Sequence, residues 1–190
     1  MVLRMAYASL QKEHTTSLKP IEAALIYANR FQWAVLPLHS IKNGRCTCGK
    51  PDCSSPGKHP RTLRGVKDAT ADINTIRTWW HEYPDANIGI ATGIVSGIFV
   101  LDVDGEIGER SLNQLINKYG TLPETVEAFT GGGGRHIFFK RPRNTVKNKV
   151  ALAQGLDVRG DGGYIVAPPS IHISGRQYMW KHLDEAPLAE

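Results

Sequence analysis

The chain reads as a single α+β domain with helices early and antiparallel strands late. Three observations predict this. Apolar residues recur at helical spacing after Pro20 and after Asp72, short Ile- and Val-rich runs bounded by glycines fill the second half, and the 190 residues are 41% hydrophobic. A chain of this length fits one ordinary domain, which buries about 70% of its unfolded surface and needs no disulfide to hold its core.

Residues 1–19 are polar and aperiodic and are expected to form a loose leader before a domain over 20–190. Pro20 then opens a helix, with Ile21, Ala24, Leu25 and Ala28 on one face. Residues 33–38 read as a short buried strand, and 41–65 as a long loop of Gly, Pro, Lys and Cys that needs an internal staple. A second helix over 70–83 has Thr70 or Asp72 as N-cap, Ile73, Ile76, Trp79 and Trp80 inward, and Pro84 as its stop. Residues 87–91 and 97–103 read as neighbouring strands, 111–119 as a helix ending at Gly120, and 125–129 and 136–140 as strands around a glycine run. The tail reads as a meander of 156–159, 164–167, 171–173 and 177–180.

The net charge of +5 is unevenly spread. Segment 41–67 holds seven basic residues against Asp52 alone, 135–149 holds six with no acid, and the remainder is net acidic. Two such stretches fit either a polyanion partner, bound by neutralising phosphates, or two solvated loops. The most apolar run, 90–101, is interrupted by Thr92, Gly93, Ser96 and Gly97 and falls short of the roughly 20 residues that cross a bilayer, so no membrane association is expected. The start lacks a basic segment followed by an apolar one, and the three cysteines fall together within 46–53. An odd, clustered set reads as metal ligation in a reducing compartment, and the expected location is cytoplasmic.

Four features carry chemistry. In Leu101-Asp-Val-Asp104 the strand alternation puts Asp102 and Asp104 on one face, about 7 Å apart, which suits Mg²⁺ or Mn²⁺ or else marks a strand end with two exposed acids. Asp157 is a third acid in an apolar strand. It either pairs with Arg159, on the same face, or joins the other two in a site for two metals about 3.5 to 4 Å apart. The run Gly131 to Gly134, followed by Arg135 and His136, is either a phosphate cradle or a flexible hairpin tip. Finally Cys46, Cys48, Cys53 and His59 make a Cys₃His set that can close a structural zinc site, with His39 as the competing imidazole. The four tryptophans, Trp33, Trp79, Trp80 and Trp180, fit core packing better than base stacking.

Taken in order, several short motifs resemble the bifunctional primase-polymerase (prim-pol) domain of the archaeo-eukaryotic primase superfamily, found in plasmid, phage and prophage replication proteins. They are Cys46-Thr-Cys48 with Gly57-Lys-His-Pro60, Lys67-Asp-Ala-Thr70, Trp79-Trp80, Asn87-Ile-Gly-Ile-Ala-Thr-Gly93, Leu101-Asp-Val-Asp104, Gly133-Gly-Arg-His136, Leu156-Asp-Val-Arg159 and Pro168-Pro-Ser170. The resemblance runs from about Ile21 to Trp180. It implies an RRM-like antiparallel sheet with flanking helices packed with an N-terminal α/β unit, plus the zinc-stapled loop. It also implies template-directed nucleotidyl transfer from NTP or dNTP onto a DNA template and primer. Asp102, Asp104 and Asp157 would be the acids that bind catalytic Mg²⁺ or Mn²⁺. Arg135, His136 and nearby lysines would hold the triphosphate, with Ser170 and His172 as further nucleotide contacts, and the 41–67 loop would touch template or the initiating nucleotide. Relatives often carry Ser where Gly134 stands, and usually continue into a helicase or other C-terminal region. Two other readings are a D-x-D glycosyltransferase and a zinc-stapled DNA-binding module without catalysis.

Overall fold

A computed structural model of the chain describes residues 18–181, 183 and 187–190. The expected loose leader thus lies, apart from Leu18 and Lys19, outside the described residues. Within them run α1 (Pro20–Phe31), β1 (Val35–Leu38), β2 (Ile41–Lys42), β3 (Arg45–Cys46), α2 (Ile73–Glu82), β4 (Asn87–Ala91), β5 (Ile98–Val103) and α3 (Gly105–Tyr119). They are followed by β6 (Glu127–Phe129), β7 (Arg135–Lys140), β8 (Lys149–Ala153), β9 (Leu156–Arg159), β10 (Tyr164–Ala167) and β11 (Met179–Trp180). None of the described helices is long and apolar enough to cross a membrane.

Two antiparallel sheets organise the molecule: a small one in the order β1-β4-β10 and a six-stranded one in the order β11-β6-β7-β5-β9-β8. Helices α1 and α2 pack on each other and on β1. Helix α2 starts where Asp72 accepts the Thr75 N–H at 2.8 Å, the N-cap arrangement that frees no amide at the first turn. The main core lies between α1, α2, the small sheet and one face of the large sheet, and contains Trp33, Ile76, Trp80, Ile88, Val100 and Phe138. Trp33 stacks between Phe31 at 4.7 Å and Phe138 at 5.7 Å, and the Trp180 indole N–H donates to the Tyr27 hydroxyl, so these indoles serve packing. Helix α3 covers the other face of the large sheet through Leu112, Val103, Leu101, Ile137 and Leu156.

The structure corrects several sequence expectations. Strands β4 and β5 do not pair as neighbours but belong to different sheets, joined across a turn in which Gly93 N–H donates to Ile98 O at 2.6 Å. Every residue of β4 is buried, whereas Phe99 and Asp102 of β5 are only half-buried, and a strand buried on both faces belongs in the middle of a covered sheet. For the same reason the tail is no meander: β9 joins the large sheet and β10 the small one. Residues 171–173 form no strand but a single bridge, Ile171 to Gln177. Helix α3 begins at Gly105, earlier than 111, because its first turns are polar and carry no apolar spacing. The β2–β3 hairpin, two residues to a strand, and the edge strand β8, whose Val150 and Leu152 stay exposed, are absent from the expected elements.

Candidate active site and metal-binding loop

Residues directly opposite in antiparallel strands share a face, and the register of the large sheet therefore builds one row of side chains: Trp180, Ala128, His136, Asp102 and Asp157, from β11 across β6, β7 and β5 to β9. The apolar half of this row belongs to the main core, while His136 and Asp102 open into a cleft of about 750 Å³ that also reaches Asp104, Arg159 and the glycine loop but not Asp157. Asp104 ends β5 as the residue preceding α3, its N–H held by Gly155 O at 2.8 Å.

The acids come with partners. His136 is buried and its Nε2 faces Asp102 Oδ1 at 3.4 Å, while its Nδ1 has no hydrogen-bond partner among the described residues. The Arg159 guanidinium bridges Asp102 Oδ2 at 3.1 Å and Asp157 Oδ2 at 2.8 Å. Asp157 also accepts the Ala151 N–H at 2.8 Å, which pins the irregular edge strand β8. Burial opposes ionisation of Asp102, yet the His136 and Arg159 contacts outweigh it and hold the carboxyl at about 2. Asp104 is pushed the other way, first by burial and then by the charges of Asp102 and Asp157. Asp102 and Asp157 share the Arg159 guanidinium, whereas Asp104 has no hydrogen bond with it, and carboxylate oxygens are the hard donors that divalent cations take.

Not every expected site residue points into the cleft. Arg135 neighbours His136 but faces α3, where it is clamped by Glu109 at 2.6 and 2.9 Å and Glu127 at 2.8 Å. The pleat decides this, since successive residues of β7 take opposite faces. Ser170 is buried, its hydroxyl accepts the Ile88 N–H at 2.8 Å, and it lines a separate cavity of about 540 Å³. His172 packs over the glycine loop; its Nδ1 accepts from Ser174 N–H at 3.2 Å, which leaves Nε2 as the donor in the neutral ring. Burial and then the charges of Lys58 and Arg176 lower its pKa.

The glycine run is a tight loop in which Thr130 N–H donates to Gly134 O at 2.9 Å and Gly134 N–H to Thr130 Oγ1 at 3.0 Å. Gly132 and Gly134 form cleft wall. A side chain at Gly134 has no room: its Cβ would stand 2.1 Å from Val103 O, a backbone atom of the strand that carries Asp102. Where relatives often have Ser, this chain can hold only glycine. Gly134→Ala is expected to cost about 3 kcal/mol, on the order of 10 °C in Tm, because the clash is with backbone that cannot turn away; a thermal melt checks it.

In the loop, Cys46, Cys48, Cys53 and His59 converge with their ligand atoms all within 4.8 Å of one another. His59 Nε2 is 3.5 Å from both Cys46 Sγ and Cys53 Sγ. A tetrahedral zinc with Zn–S near 2.3 Å and Zn–N near 2.0 Å sets S and N about 3.5 Å apart, so the cluster fits zinc. His39 is not the fourth ligand. Its ring lies 4.4 Å from that of His59 and its Nδ1 is 3.1 Å from Thr47 Oγ1. Burial, and then the charges of Lys50 and Arg61, lower the His59 pKa and favour the neutral imidazole that a metal requires.

The sequence reading missed Tyr178, Tyr164 and Asn148 as cleft-lining residues, and Lys58 as an individual one. The Gly57-Lys-His-Pro60 motif was the available signal for Lys58, but only the tertiary structure brings the metal-binding loop over the carboxylates. A search of curated proteins found none that matches the chain. A family model described as bifunctional DNA primase/polymerase, N-terminal, matches residues 24–190, and the chain therefore belongs to that Prim-Pol family.

Proposed function

We propose that this chain is the catalytic domain of a DNA primase/polymerase of a replication protein, a nucleotidyltransferase that joins NTP or dNTP to a growing strand on a DNA template. The observation that carries the reading is the register of β5 with β7 and β9, which aligns Asp102 with His136 on one side and Asp157 on the other. Such an alignment supplies a carboxylate centre on a rigid sheet within a cleft large enough for a nucleotide. Asp102, Asp104 and Asp157 would hold Mg²⁺ or Mn²⁺, which when bound activates the attacking 3′-hydroxyl and neutralises charge on the phosphates. Arg159 bridges Asp102 and Asp157 and holds the two carboxylates in place. His136, at the cleft floor, presents Nε2 beside Asp102 towards a phosphate oxygen, and the glycine loop, backed by His172, forms another part of the wall. Arg135 and Ser170 have structural roles in this reading. The Cys₃His cluster would hold structural zinc, the sheet would serve as an RRM-like platform, and a helicase region elsewhere in the same system would be a natural partner.

Arg159 favours a second reading: by pairing with two of the three acids it satisfies them without metal, as in a zinc-stapled DNA-binding module. One assay separates the two. A primed template with labelled dNTP and Mg²⁺ or Mn²⁺ is expected to be extended, and an unprimed one to yield primers from NTP or dNTP. Salt-sensitive DNA binding with no metal-dependent incorporation would overturn the catalytic reading.

A further inference from the structure

The cleft contains one cation whose position the metal-binding loop controls. Lys58 precedes the metal-ligating His59, is exposed, and forms part of the wall of the carboxylate cleft. It has no ion-pair partner among the described residues, whereas other members of the basic stretches are spent: Arg64 on Asp68, Arg135 on Glu109 and Glu127, Lys140 on Glu190, and Arg141 on Asp161. Asp102, Asp104 and the glycine loop line the same cleft, so Lys58 shares with them the space that a nucleotide would occupy.

The backbone around it is fastened at every residue. Gly57 O accepts from Asn87 Nδ2 at 2.8 Å, and Gly57 N–H points at Cys46 Sγ at 3.4 Å. Lys58 O accepts from the Tyr164 hydroxyl at 3.0 Å, His59 O accepts from His39 N–H at 2.9 Å, and Pro60 bridges Leu38. Gly57, at φ +73°, has Ile41 and Asn87 within 3.3 Å of where a Cβ would stand, so the segment has no slack there. Four of these five tethers run to the protein body, and the fifth runs through the Cys₃His cluster.

We infer that Lys58 binds the phosphates of the incoming nucleoside triphosphate, and that the Cys₃His cluster, by positioning Lys58, sets nucleotide affinity at a centre it does not touch. The inference rests on the polymerase reading above and gives the triphosphate contact to Lys58 in place of Arg135. An ammonium on a flexible stem suits a phosphate that must be held while it reacts and then leave as pyrophosphate.

The test titrates a fluorescent dNTP into the full chain bound to a primer–template ending in a dideoxynucleotide, with zinc content measured on the same samples. Lys58→Ala is expected to retain its zinc and weaken nucleotide binding about 10- to 100-fold, the range for losing one charge-assisted contact, while Lys58→Arg recovers most of it. Stripping zinc from the wild type is expected to weaken binding by a similar factor, and to change Lys58→Ala little further. Wild-type affinity in Lys58→Ala, with wild-type protein still incorporating nucleotide, overturns this inference alone. So does an equal loss on zinc removal with and without Lys58. A wild type that neither binds nor incorporates nucleotide overturns the polymerase reading and this inference together.

Discussion

Asp102→Asn is expected to lower nucleotide incorporation on a primed template by on the order of 10³-fold, while changing affinity for the same DNA less than about twofold. The substitution keeps the shape of the side chain and removes its charge from the centre of the polar row, between His136 and Asp157. Neither of the other two acids replaces it, because Asp157 is tied to Arg159 and to Ala151 N–H, and Asp104 carries a raised pKa. The fold itself should survive, since Val100, Leu101 and Val103 still anchor β5 in the two cores. A modest stability cost has a definite pH signature. A carboxyl depressed to about 2 stabilises the folded state when ionised, fully above its unfolded value near 4 and progressively less as pH falls through 2. Without added divalent metal, the variant should melt about 5 °C below the wild type at pH 7, a loss of roughly 2 kcal/mol, and the difference should close as pH falls towards 2. Retained incorporation in Asp102→Asn would remove the carboxylate centre from the mechanism.

Cys46→Ser should have the largest effect on the metal-binding loop. From 41 to 60 only Cys46 and Gly57 are buried, so apolar burial has little to hold this stretch with. Beyond the tethers at 57–60, the Cys₃His cluster is what draws this stretch together, and zinc sites of that kind stabilise by amounts comparable to the folding energy of small domains. Replacing the buried ligand should cut bound zinc from one equivalent to near none, expose 41–60 to protease, and lower nucleotide incorporation at least about tenfold through loss of the wall that carries Ser55 and Lys58. The rest of the domain should stay folded, because its main core draws nothing from the loop. Zinc analysis, limited proteolysis and far-UV circular dichroism on one preparation separate these outcomes, and undiminished zinc in Cys46→Ser would exclude that ligand set.

The α+β class was legible because apolar spacing is a local property. Ile76 and Trp80 repeat at helical interval on α2, and Ile98, Val100 and Phe138 sit on strand-period runs. Sheet membership was not legible. Strands β4 and β5 are adjacent in sequence and lie in different sheets, and the edge strand β8, Lys-Val-Ala-Leu-Ala, is exposed although most of it is apolar. Among site residues, the acids and the Cys₃His set were readable as unusual chemistry in short windows. The orientation of Arg135 was not, because which face of β7 meets the cleft depends on α3 packing against the other side. Ser170 misled for a similar reason: its hydroxyl is spent on β4, far away in sequence.

By itself, the sequence determined which residues have reactive or metal-binding chemistry and that two basic stretches flank an acidic remainder. Only the tertiary structure decided which of them meet. Register is set by long-range pairing, and it brought Asp157, more than fifty residues away, opposite Asp102. The same packing used up Arg135, Lys140 and Arg141 in ion pairs and left Lys58, delivered by a loop with almost no core of its own, in the carboxylate cleft with no ion pair among the described residues. Local propensity acts over a few residues, whereas the active site is made of contacts between segments that the chain brings together only on burying its core.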